Sequence, residues 1–171
     1  MTTSTLQNTL LVPTTRFGEL RVAEAAVLEF PEGLPGFADQ RRWLLVPHHG
    51  AGGVAPPAVP CEAERSAPFV WLQSAERLDL AFLMLAPAAA FPDYAPTLPA
   101  DVGAASADVS LWVLLTVPAG DPRRMTANLL GPIVIERARR RGRQIVLGDE
   151  RYHTRHPVFP AYRGGSSGSG A

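Results

Sequence analysis

Met125-Thr-Ala-Asn-Leu-Leu-Gly-Pro-Ile-Val-Ile-Glu-Arg-Ala-Arg-Arg-Arg-Gly-Arg143 sets a polar turn, a short apolar strand and a basic tip in fixed order. Ile133 to Ile135 has the β-branched run of a strand, and Gln144 to Leu147 is a second one. Arg139 to Gly142 is then expected as the turn between them, which makes a β-hairpin. Upstream, Thr126 and Asn128 carry short polar side chains suited to bonding backbone in the turn before Leu129. No catalytic motif accompanies the stretch.

The rest of the chain repeats this pattern. Phe17 to Val22, Val27 to Phe30, Trp43 to Val46, Phe69 to Gln73, Leu80 to Leu85 and Val109 to Val117 all have strand length and alternation. Between them stand 17 prolines and 15 glycines, which break the chain too often for long helices. Pro31-Glu-Gly-Leu-Pro-Gly-Phe37 predicts two turns in tandem. Ala38 to Arg42 is expected to add one helical turn. Val109 to Val117 is apolar on both faces, so it is either central and covered or covered by a partner. Eight or nine short strands with little helix predict an all-β fold, a small antiparallel barrel-like domain whose closure removes sheet edges.

A chain of 171 residues makes one domain with a full core. Residues 1–13 are polar and threonine-rich and are expected to form a flexible leader. The domain is expected over 14–162, and the Gly/Ser-rich residues 163–171 form a flexible tail. The leader lacks the basic and apolar regions of a signal peptide, and no apolar run approaches the roughly 20 residues of a membrane helix. Cys61 is the sole cysteine, which rules out an internal disulfide and suits a reducing cytoplasm.

Candidate chemistry is thin. His48, His49, His153 and His156 could supply a base, Asp93, Asp121 or Asp149 a carboxylate, and Ser74 or Cys61 a nucleophile. None has a spacing that enforces a triad. The pairs His48-His49 and His153-Thr-Arg-His156 lack a matched third metal ligand, and Pro157 holds His156 extended. Gly50-Ala-Gly-Gly53 has no following lysine and is no phosphate loop. Neither catalysis nor a metal nor a cofactor is therefore expected. The formal charge is zero and every one of the 16 basic residues is arginine. Arg137, Arg139, Arg140, Arg141 and Arg143 cluster near the hairpin tip. They support one competing reading, a β-barrel RNA-binding protein that grips phosphates through Arg137–Arg143. No interleaved aromatics accompany them, and charge runs are usually solvated.

Several segments together resemble the FliW family of flagellar assembly factors. They are Arg16-Phe-Gly-Glu-Leu20, Phe30-Pro-Glu-Gly-Leu-Pro-Gly-Phe37, Pro68-Phe-Val-Trp-Leu-Gln-Ser74, Asp79-Leu-Ala-Phe82 and Phe91-Pro-Asp-Tyr94. Farther on come Thr116-Val-Pro118, Met125-Thr-Ala-Asn-Leu129, Gly131-Pro-Ile-Val-Ile135, Arg141-Gly-Arg-Gln-Ile-Val-Leu147 and Tyr152-His-Thr-Arg-His-Pro157. They stand in family order from Arg16 to Pro157. The resemblance implies a non-enzymatic β-barrel that binds flagellin in the cytoplasm and antagonises the translational regulator CsrA, so that flagellin accumulation frees CsrA. It implies no nucleic-acid or membrane partner. Phe91, Asp93 and Tyr94, an aromatic and acidic segment on a proline-stiffened loop, are the leading partner-binding candidates, with Met125 and Asn128 second. Packing of the barrel rim would explain the same residue types.

Overall fold

The computed structural model describes residues 8–48, 63, 67–102 and 108–159. Eleven strands occur among them: β1 Thr9–Thr14, β2 Gly18–Ala23, β3 Leu28–Glu29, β4 Arg42–Pro47, β5 Phe69–Ser74, β6 Ala81–Leu85, β7 Val109–Thr116, β8 Thr126–Ala127, β9 Ile133–Glu136, β10 Arg141–Gln144 and β11 His156–Pro157. The described helical structure comprises 3-10 turns, including Glu24–Ala26, Pro87–Ala89 and Pro122–Arg124, and one residue, Ala63. Two of those turns begin with proline, whose fixed φ and missing N–H suit a first helical position.

Seven strands close a barrel in the order β7, β6, β5, β4, β3, β10, β9. The ring shuts because β9 pairs with β10 on one side and with β7 on the other, Ser110 opposite Ile135 and Trp112 opposite Ile133. All pairings in it are antiparallel except β3 with β10, which run parallel through Glu29 and Arg141. The expectation of a purely antiparallel sheet is corrected there. Two strands far apart in sequence meet to complete the ring, so no hairpin fixes their relative direction.

Alternation builds the interior. Trp43 and Leu45, Val70 and Leu72, Phe82 and Met84, Trp112 and Leu114, and Ile133 and Ile135 are i, i+2 pairs that all face one central cluster. Phe30 joins it, with its ring 6.0 Å from that of Trp43. Gly142 of β10 faces the same ring. A Cβ there would overlap three ring carbons of Phe30, one of them at 2.8 Å.

The opposite faces of these strands are also apolar, and three outer layers cover them. The β1–β2 hairpin lays Val12, Leu20 and Val22 over Leu44 and Val46 of β4. Met125, Ala127, Leu129 and Val158, with Phe91 and Tyr94, cover Leu83 and Leu85 of β6 and Val113 and Leu115 of β7. Val102, Ile145 and Leu147 cover Val134 and Leu111. The two-sided apolarity of β7 is thus satisfied largely by the chain itself.

Several local expectations change. Residues 9–13 are part of strand β1, paired throughout with β2, and not a loose leader. Val12, near the end of the expected leader, is 6% exposed. Ala38 and Asp39 form a turn with no helix. The hairpin tip falls at Arg137 to Arg140, where Arg140 takes φ 52°, so Gly142 is a strand residue. Ile145 and Leu147 still face inward, with backbone bonds to Pro132 and Leu130, but the regular ladder ends at Gln144. Pro132 has no N–H to return a bond. The tandem turns form as expected. Leu34-Pro-Gly-Phe37 has Gly36 at φ 84° and a bond from Phe37 N to Leu34 O, the arrangement of a type II turn. His49, Gly50–Gly53, Cys61 and the tail 163–171 lie outside the described residues.

Candidate functional site

Proline geometry starts the site. After the Pro87–Ala89 turn, Pro92 bends Phe91-Pro-Asp-Tyr94 into a second turn closed by Tyr94 N to Phe91 O at 3.0 Å. This sets Phe91 and Tyr94 over the outer face of β6 and β7 and leaves Asp93 exposed. The segment before β11 arrives from the other side. Leu129 N donates to His153 O at 3.0 Å, and His156 pairs with Ala127 in the β8–β11 ladder.

The two segments interlock through their rings. Tyr94 meets Tyr152 edge to face at 4.8 Å, and Phe91 meets His156 at 5.5 Å and 88°. Such T-shaped pairs place a positive ring edge on a negative face. The Tyr94 hydroxyl donates to Leu129 O at 2.7 Å. Burial raises the Tyr94 phenol above its ordinary pKa, and the nearby Tyr152 adds to this, so the group stays a neutral donor. Between the segments lies a groove of about 310 Å³, whose lining includes Phe91, Asp93, Tyr94, Leu129, Tyr152 and His156.

Two charges line this groove. Arg151 is held by Asp149 through both carboxylate oxygens, Nε to Oδ1 at 3.0 Å and Nη2 to Oδ2 at 2.6 Å. This bond, chiefly, holds the Asp149 carboxyl below its ordinary pKa. The Arg151 guanidinium also lies 5.4 Å from the Tyr152 ring centroid. Asp93 has no hydrogen bond or ion pair to any described residue.

The structure therefore brings Phe91, Asp93 and Tyr94 together in one groove. Asn128 stands beside them. Its Oδ1 accepts from Gly131 N at 2.9 Å, the backbone bond that its side chain suggested, and it lines a neighbouring apolar groove with Pro35, Leu130 and Val146. Met125 is 8% exposed and packs beneath β8, so it supports the surface from below. Leu129, Arg151, Tyr152 and His156 were not among the candidates from sequence. Tyr152-His-Thr-Arg-His-Pro157 carried the signal, with aromatic and imidazole rings held extended before a proline.

The other candidate chemistries fare differently. Ser74 is buried, its Oγ donates to Gln40 Oε1 at 2.9 Å, and it accepts from the backbone N–H groups of Glu76 and Arg77. It is a structural hydroxyl. His48 packs its ring against Trp71. Among the described residues no group of three His, Cys, Asp or Glu is arranged to hold a metal ion. The arginine cluster is largely engaged: Arg139 with Glu136 at 2.8 Å, Arg143 with Asp101 at 2.9 Å, Arg137 Nε on Ser110 Oγ and Arg140 on Glu24 O. Its charge is dispersed along the sheet edge and does not form a phosphate-facing patch. No described helix is long and apolar enough to cross a membrane.

Comparison with known proteins agrees with this architecture. The profile of the FliW protein family matches residues 11–55 and 58–158. The flagellar assembly factor FliW of Natranaerobius thermophilus is 38% identical over 149 residues, 84% of this chain and 88% of that protein. The factor of Moorella thermoacetica is 36% identical over 153 residues, 86% of this chain and 87% of its own. A crystal structure of the flagellar assembly factor FliW superposes with a TM-score of 0.74 at 28% identity, covering 90% of this chain and 99% of that one. Matched over nearly all of its barrel in sequence and in shape, the chain belongs to the FliW family of flagellar assembly factors.

Proposed function

We propose that this protein works by binding other polypeptides in the cytoplasm. It holds flagellin and antagonises CsrA, so that the level of free flagellin sets how much CsrA is available to repress translation. Family membership supports the partners. The structural support is one observation: the outer apolar faces of the barrel are covered by the chain, and at the Phe91–Tyr94 turn that cover opens into a ring-lined groove with an unpaired carboxylate. A partner side chain could enter there without any unfolding of the barrel.

Linkage follows from the scheme. If flagellin weakens CsrA binding by some factor, CsrA weakens flagellin binding by the same factor. The test is calorimetric titration of the full chain with purified flagellin and with CsrA, each alone and then in the presence of the other. Saturable binding of both, with equal reciprocal weakening, is expected. Absence of heat and of co-elution with either protein overturns the reading.

A further inference from the structure

We infer that the Phe91–Tyr152 groove is a receptor for a cationic apolar segment of the partner, one that sets an arginine or lysine beside an aliphatic or aromatic anchor. The inference rests on the flagellin reading above and says which chemistry of flagellin the groove selects.

Charge on the page carries the argument. Of the two ionised side chains in the groove, Arg151 is neutralised in place by Asp149, with contacts of 2.6 Å and 3.0 Å. Asp93 is left with no partner among the described residues. The groove therefore presents one uncompensated negative charge at its rim. Its walls add to this. Phe91, Tyr94 and Tyr152 carry the negative faces of their π-systems, which attract cations and accept apolar groups equally well. Arg151 over the Tyr152 ring at 5.4 Å is an internal example of that attraction. An anionic occupant would face Asp93 without compensation. A neutral apolar occupant would leave Asp93 partly desolvated with no partner.

The experiment titrates the full chain with flagellin and compares Asp93→Asn, Asp93→Arg and Asp93→Glu. Asp93 is exposed, so these changes leave the barrel intact, which a thermal melt of each variant verifies. The expected result is an affinity loss of about threefold for the neutral variant and at least tenfold for the reversed charge, with the glutamate variant within about twofold of wild type. Raising salt to about 0.5 M should narrow the gap between wild type and Asp93→Asn, because screening removes the charge contact. Flagellin binding that survives Asp93→Arg within twofold overturns the groove and leaves the flagellin reading standing.

A second arm decides the groove if wild type fails to bind flagellin at all, which overturns the reading itself. The 15N-labelled protein is titrated with 2-phenylethylguanidinium and with 3-phenylpropionate, two fragments of like shape and opposite charge. Amide shifts at Tyr94, Leu129 and Tyr152, with the cation at least threefold tighter and Asp93→Asn abolishing that preference, uphold the inference. Equal binding of the two fragments, or preference for the carboxylate, rejects it.

Discussion

Gly142→Ala is the sharpest test of how the barrel is packed. Gly142 sits in β10 with an ordinary strand conformation, so alanine meets no backbone strain. On propensity alone alanine should gain about 0.5–1 kcal/mol over glycine. The added methyl would overlap three carbons of the Phe30 ring, one at 2.8 Å, where carbon atoms normally rest about 3.5–4.0 Å apart. The ring must therefore retreat by about 1 Å. It has nowhere to go, because Phe30 is 0% exposed and stacked on Trp43, itself 0% exposed. Overpacking of a closed core costs about 1–3 kcal/mol, and an overlap with three atoms belongs at the upper end. The net expectation is a loss of about 2 kcal/mol. For a chain of this size that lowers the melting temperature by roughly 4–8 °C. Urea or thermal denaturation followed by circular dichroism measures it. Phe30→Leu should partly rescue Gly142→Ala, with a favourable coupling of at least about 1 kcal/mol in the double-mutant cycle. Strict additivity, or a single variant as stable as wild type, would show that Phe30 does not press on Gly142.

Ser74→Ala should cost about 1–3 kcal/mol by leaving Gln40 Oε1 and two backbone N–H groups without a partner, read out as a lower urea midpoint. Tyr94→Phe should lose about 0.5–1.5 kcal/mol at neutral pH with its bond to Leu129 O. Its pH dependence should differ as well. The folded Tyr94 holds its proton above the ordinary phenol pKa, so its contribution is complete below about pH 10, where the unfolded phenol is still neutral, and is lost as pH rises toward the folded value. The Phe variant should therefore lose stability less steeply above pH 10, and parallel curves for the two proteins count against the buried phenol. Changing Arg139, Arg140 and Arg141 together to Ser should leave flagellin affinity within about twofold. A strongly salt-dependent RNA affinity in wild type, removed by that triple change, would favour the RNA-binding alternative.

How far could the sequence be read? The barrel interior was legible because the i, i+2 pairs Trp43 and Leu45, Val70 and Leu72, and Trp112 and Leu114 state which side faces in. Turn chemistry was legible at Leu34-Pro-Gly-Phe37 for the same local reason. Closure was not, since the meeting of Glu29 with Arg141 depends on strands more than a hundred residues apart in the chain. Gly142 illustrates the limit. Beside four arginines it looked like a turn glycine, yet the constraint on it is a ring that arrives from Phe30 across the barrel. The groove divides in the same way. Phe91, Asp93 and Tyr94 stood out as one aromatic and acidic segment, while Tyr152 and His156 entered only when β11 folded back on β8. No local pattern states that approach.

The groove lies on a side leaf of the barrel. Residues 115–116 of β7 turn away from the ring to hold β8, and β8 in turn holds β11, by two residue pairs at each junction. The seven-strand ring does not pass through that leaf. Docking at Phe91 and Tyr152 can therefore tug β8 and β11 while the closed ring keeps its register, much as a hinged flap moves on a rigid drum. Amides of Ala127 and Val158 should then exchange with solvent sooner than those of Trp112 and Ile135, and a bound partner should slow the first pair without touching the second.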